Sequence, residues 1–204
     1  MTTNSADTDT HLEGLNQRFI DALALREKHD VDGAAEALRG ILRIEPRLAE
    51  PRLELARILL DIGQFDVAEE ETREAIRILE GGGQWTDDLP EPVLQSLAWD
   101  LLGECIRSQT DSDEMVFGDP AVWAARLADA RDAYRRAAEL DPENPHAAWW
   151  VERFADPRSG PQAMSKAADD GAESADVDEE ASADGDPAEG LDDIFAFALD
   201  PDPA

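Results

Sequence analysis

The chain has 204 residues, room for one domain and a tail, and a formal net charge of −30 at pH 7. A charge of that sign and size argues against a nucleic-acid backbone or an anionic membrane as partner, since both repel it. One cysteine, Cys105, excludes an intrachain disulfide and fits a reducing cytoplasm.

Residues 1–10 are polar, with neither the basic region nor the apolar run of a signal peptide, and are expected to be a disordered N-terminus. A first helix is expected from about His11 to Lys28, with Leu12, Leu15, Phe19, Leu23 and Leu25 as its apolar positions. A second follows over Gly33–Ile44, capped by Asp32 and ended at Glu45-Pro46. Glu50–Ile62 and Asp66–Leu79 form another amphipathic pair, joined at Gly63, where a residue free to take positive φ is favoured. Residues 81–92 read as a flexible loop, because no Lys-Ser/Thr pair follows its glycines to make a phosphate cradle.

A helix over Pro92–Arg107 and another over Ala121–Leu140 complete a third pair, with Asp119-Pro120 marking the start of the second. Between them, Met115-Val116-Phe117 is an apolar cluster in an acidic insertion, expected to fold back on the helices. Cys105 reads as a small buried residue. After Pro145 the stretch HAAWWVERFA, with Trp149, Trp150, Val151 and Phe154, is expected to cap the stack.

From Asp156 to Gly190 the composition falls to Ala, Asp, Glu, Ser, Gly and Pro, an acidic linker expected to be disordered. Residues 156–204 hold 15 of the 48 acids and 2 of the 18 bases. Within 191–204, Leu191, Ile194, Phe195, Ala198 and Leu199 fall at i, i+3, i+4, i+7 and i+8, one stripe of a short helix, with Asp192 and Asp193 in its first turn. An amphipathic element after an acidic tether has the form of a helix-in-groove ligand.

The pairs recur. Ala22 and Ala56 lie 34 residues apart, as do Ala34 and Ala68, and Ile41 and Ala75. Ala130, Ala137 and Pro142 repeat the spacing of Ala34, Ile41 and Pro46. Such a period is the signature of a solenoid. On Leu55, Ala56, Gly63, Phe65, Ala68 and Ala75, and on Trp99, Leu102, Gly103, Ala130, Tyr134, Ala137 and Pro142, the chain resembles the tetratricopeptide repeat (TPR) family over roughly residues 15–155. In the first copy Arg18 and Asp21 stand where the family has large apolar residues. The expectation is an all-α helix-turn-helix solenoid of about three pairs plus a capping helix, residues 11–155, followed by the tail.

The resemblance implies that the first helix of each pair lines a peptide-binding groove. That groove would present Phe19, Leu23 and Arg26, then Leu53, Arg57 and Leu60, then Asp100, Glu104 and Arg107. The lysine-asparagine set with which some relatives clamp a chaperone's C-terminal carboxylate is not found. No catalytic, metal or cofactor site is expected: His11, His29 and His146 lack ligand spacing, and the HExxH, GxSxG and Walker patterns are missing. No stretch reaches the ~18 apolar residues of a membrane span. The reading is a cytoplasmic, prokaryotic, non-enzymatic adaptor with a protein partner at the groove and a C-terminal motif that either recruits a second partner or docks on the groove itself. Its alternative is an assembly or holding chaperone whose acidic tail keeps a client soluble.

Overall fold

The computed structural model describes residues 5–86 and 89–155, with side chains from Gly14 onward except those of Asp113 and Glu114. Eight helices occupy the described residues: α1 (Ser5–Glu27), α2 (Val31–Ile44), α3 (Ala49–Asp61), α4 (Phe65–Glu80), α5 (Glu91–Thr110), the single turn α6 (Asp113–Val116), α7 (Pro120–Leu140) and α8 (Pro145–Ala155). They pack as three hairpins, α1–α2, α3–α4 and α5–α7, each resting on the next, with α8 against α7. This is the expected all-α repeat.

The turns show why the hairpins form where they do. Gly63 takes φ +76° while its N–H donates to Leu60 O at 2.9 Å and Gln64 N donates to Leu59 O at 2.8 Å, the pair of bonds that satisfies a helix's last carbonyls. The α1–α2 turn has the same form, with His29 at φ 60°. Asp119 caps α7 as expected, accepting from Ala121 N at 2.8 Å. α2 starts earlier than its sequence reading: Asp30 is the cap, accepting from Gly33 N at 3.0 Å, and Asp32 lies in the first turn. α1 likewise begins at Ser5 rather than near His11.

Small residues recur at the helix crossings. Ala22, Ala34, Ala56, Ala68, Ala75, Ala130 and Ala137 are all buried, and so are Leu15, Phe19 and Leu23 from α1. In the third hairpin Gly103 lies under the Tyr134 ring, where an added Cβ would come within 2.8 Å of a ring carbon. One buried apolar cluster runs from Leu15 to Trp150.

Two insertions depart from expectation. The loop after α4 is tied down before residue 87. Trp85 N and Thr86 N each donate to Glu50 Oε1 at 2.9 Å, and the Trp85 ring lies 5.7 Å from that of Phe19. The Met115-Val116-Phe117 cluster does not bury itself. Met115 lines a cleft, but Val116 is half exposed and Phe117 is 84 % exposed, because the short α6 turn ends before it can return the ring to the helices.

Candidate functional site

The helices α3 and α5, with α8 behind them, enclose a cavity of about 270 Å³. Its apolar lining comes from Leu60, Phe65, Leu97 and Leu101, and its polar groups are Arg57, Asp61, Asp100, Glu104, Ser108 and His146. Leu97, Leu101, Glu104 and Ser108 follow one another at intervals of four, three and four along α5, so helical geometry alone puts them on one face.

The polar groups are cross-braced. His146 Nδ1 lies 2.9 Å from both carboxylate oxygens of Asp100, and the indole N–H of Trp150 donates to His146 Nε2 at 3.2 Å. Burial pushes the Asp100 carboxyl up, against the opposing hydrogen bond and charge of His146.

Glu104 is held in a second brace. Arg107 donates to both its oxygens and the Tyr134 hydroxyl donates to Oε2 at 2.7 Å. Burial alone would push this carboxyl up. The Arg107 hydrogen bond and charge, the Tyr134 hydrogen bond and the charge of His146 together hold it below the usual carboxylate range. Arg107 also bonds Asp111 at 2.8 Å and stands 4.9 Å over the Trp150 ring. A fixed wall of charge and aromatic surface thus joins α5, α7 and α8.

Four of the nine expected groove residues, Arg57, Leu60, Asp100 and Glu104, line this one cavity, and Arg107 is bonded to it through Glu104. The N-terminal set is placed differently. Phe19, Leu23 and Leu53 are buried in the core, Phe19 beside Trp85 of the inserted loop, and Arg26 is paired at 3.2 Å with the fully buried Glu54. The motif residues Leu191, Ile194, Phe195, Ala198 and Leu199 lie outside the described residues. His146 was missed as a site residue: it meets Asp100 from 46 positions away, a contact set by how α8 folds back.

Two further clefts flank this site. One, of about 690 Å³, opens between the Gly63 turn and the α6 insertion, with Met115, Val67 and Val122 beside Asp66 and Asp119. The other, of about 350 Å³, lies between α2 and α4. Cys105 is fully buried and its thiol is pushed up to about 12, by burial above all, so it is an inert core residue. Among the described residues no group of three or more His, Cys, Asp and Glu side chains could hold a metal ion. No described helix is long and apolar enough to cross a membrane.

Successive antiparallel hairpins with small residues at their crossings and a terminal helix over the last pair define a helical-repeat protein. Residues 25–97, from the end of α1 into α5, match the family model of the tetratricopeptide repeat. Repeats of this family generally mediate protein–protein contacts. No curated protein matches the chain.

Proposed function

We propose that the chain is a non-enzymatic adaptor and that the α3–α5–α8 cavity takes a segment of another protein. The observation carrying this reading is the cavity itself: an apolar lining of Leu60, Leu97 and Leu101 under a rim whose charged groups are braced by one another. A rim held in place before binding lowers the ordering cost of association. The lining suits an apolar side chain. The rim's exposed charged group is the acid Asp61, with Asp100 matched by His146 and Glu104 by Arg107, so the flanking residues of a matching peptide carry positive rather than negative charge. In this reading the Leu191–Leu199 motif is a second recognition element.

Panning a random peptide display library on the full-length chain tests this. The expected result is enrichment of peptides with an apolar anchor beside Lys or Arg, lost when Leu60→Arg or Ser108→Trp obstructs the cavity. Binding unchanged by both substitutions would place recognition elsewhere. Broad, weak capture that depends on residues 156–190 would favour the holding-chaperone reading instead.

A further inference from the structure

The notable charge on this protein is a positive one. The cleft between α2 and α4 is lined by Arg39 and Arg43 from α2 and Arg52 from α3, with Glu71 as its acid, in a chain of 48 acids and 18 bases. Of the three clefts described above it is the one where bases outnumber acids. Its apolar lining is Leu42 over the buried Leu55 and Leu59, with Val67 43 % exposed at the edge. Arg39 is exposed and makes no ion pair among the described residues. Arg43 meets Glu36 at 2.9 Å with both side chains about two-thirds exposed, a pair of little net strength. Both guanidinium groups are therefore open to a better partner.

We infer that this cleft is the docking site of the chain's own segment Leu191–Leu199, independently of whether the α3–α5–α8 cavity binds peptide. The complementarity is specific in sign. The stripe Leu191, Ile194, Phe195, Ala198 and Leu199 is flanked by Asp192 and Asp193 on one side and by Asp200 and Asp202 on the other. Those carboxylates would be repelled by the exposed Asp61 beside the α3–α5–α8 cavity and by Asp66 and Asp119 of the widest cleft, but attracted by Arg39 and Arg43. The arginines of the expected groove are not available to it: Arg26 is held by Glu54, Arg107 by Glu104 and Asp111, and Arg57 is buried. The connection is long enough. α8 ends at Ala155, and about 35 residues precede Leu191, a length that spans roughly 30–35 Å r.m.s. as a coil and up to about 115 Å extended. Docking places apolar side chains on Leu42 and Val67 and sets acids against the two arginines.

The test uses the full chain carrying Pro203→Cys with a nitroxide label; Cys105 is buried and does not compete for the reagent. Paramagnetic broadening of backbone amides is expected in Arg39–Arg43 and Val67–Glu71. It is lost on Phe195→Asp and on the double change Arg39→Glu and Arg43→Glu, and it weakens in 1 M salt, where the Debye length falls to about 3 Å. The two arginines are exposed, so their reversal leaves the fold intact, as the unchanged remaining amides should confirm. Absence of broadening, broadening centred on Ser108 and His146, or broadening that also arises when labelled and isotope-enriched chains are separate molecules would each overturn the assignment.

Discussion

His29 and Gly63 stand 34 residues apart at the same point of successive repeats, with φ of 60° and 76°. In both, the residue's own N–H and the next one close the helix end: His29 N to Arg26 O at 2.8 Å and Asp30 N to Leu25 O at 2.9 Å repeat the bonds of the Gly63 turn. A left-handed conformation costs an L-residue about 1–2 kcal/mol, while glycine forfeits about 0.5–1 kcal/mol of unfolded-state entropy. His29→Gly should therefore stabilise the protein by up to about 1 kcal/mol, seen as a higher urea midpoint at unchanged slope. A lower midpoint would mean that the imidazole contributes contacts worth more than the strain. Glycine announces such a turn and histidine does not, so the Gly63 turn was legible in the sequence and the His29 geometry was not. Gly103 is a further case. The repeat signature marks the position, and only the Tyr134 ring above it supplies the reason.

At the scale of elements, α8 shows what periodicity can and cannot reveal. Its aromatics marked it as a cap, and Trp150 is buried while Trp149 and Phe154 are half-buried against the core. How it is fastened was hidden, because the fastening joins distant residues. Asn144 accepts from Ala147 N at 3.0 Å and donates to Ser96 Oγ at 3.1 Å, and Ser96 in turn donates to Ala137 O at 2.9 Å. One side chain thus starts α8, with Pro145 at its first position, and ties it to α5 and α7. Asn144→Ala removes the cap and deprives buried Ser96 of a partner, for a loss of about 1–2 kcal/mol. Unfolding followed by tryptophan fluorescence should show it, since Trp150 reports on α8. If α8 stays docked and the midpoint is unchanged, the aromatic contacts alone hold it. The inserted loops escaped the sequence reading for the same reason: Trp85 finds Phe19, and Glu50 finds the loop backbone, only once the hairpins are stacked.

For the whole molecule the sequence shows a large negative charge but not where pairing offsets it. Glu69 of α4 accepts from Arg73, from Arg126 of α7 at 2.6 Å and from Gln109 of α5 at 2.7 Å, with Arg126 also bonded to Gln109, so one carboxylate joins three helices from two hairpins. Burial pushes this carboxyl up, but the hydrogen bonds from Arg126, Arg73 and Gln109 and the Arg126 charge outweigh it and hold it below its ordinary 4.5. A carboxyl lowered by folding stabilises the protein fully above its unfolded pKa, and that contribution is lost as pH falls through the lower folded value. Asp100, raised by burial, works in the opposite sense: what it contributes is present at low pH and lost as pH rises through its folded value. Acid also discharges a chain of pI ≈ 4.1 and relaxes its self-repulsion, so the wild-type profile alone mixes three effects. Comparison with Glu69→Gln separates them, since the other two are common to both proteins. The variant should be less stable at pH 7, with its deficit in urea midpoint shrinking below about pH 4.5 as wild-type Glu69 takes up its proton. A deficit that stays constant from pH 7 to pH 3 would show that Glu69 acts through packing and hydrogen bonds indifferent to its charge. The charge-paired junction of the middle and last hairpins would then have to be sought elsewhere.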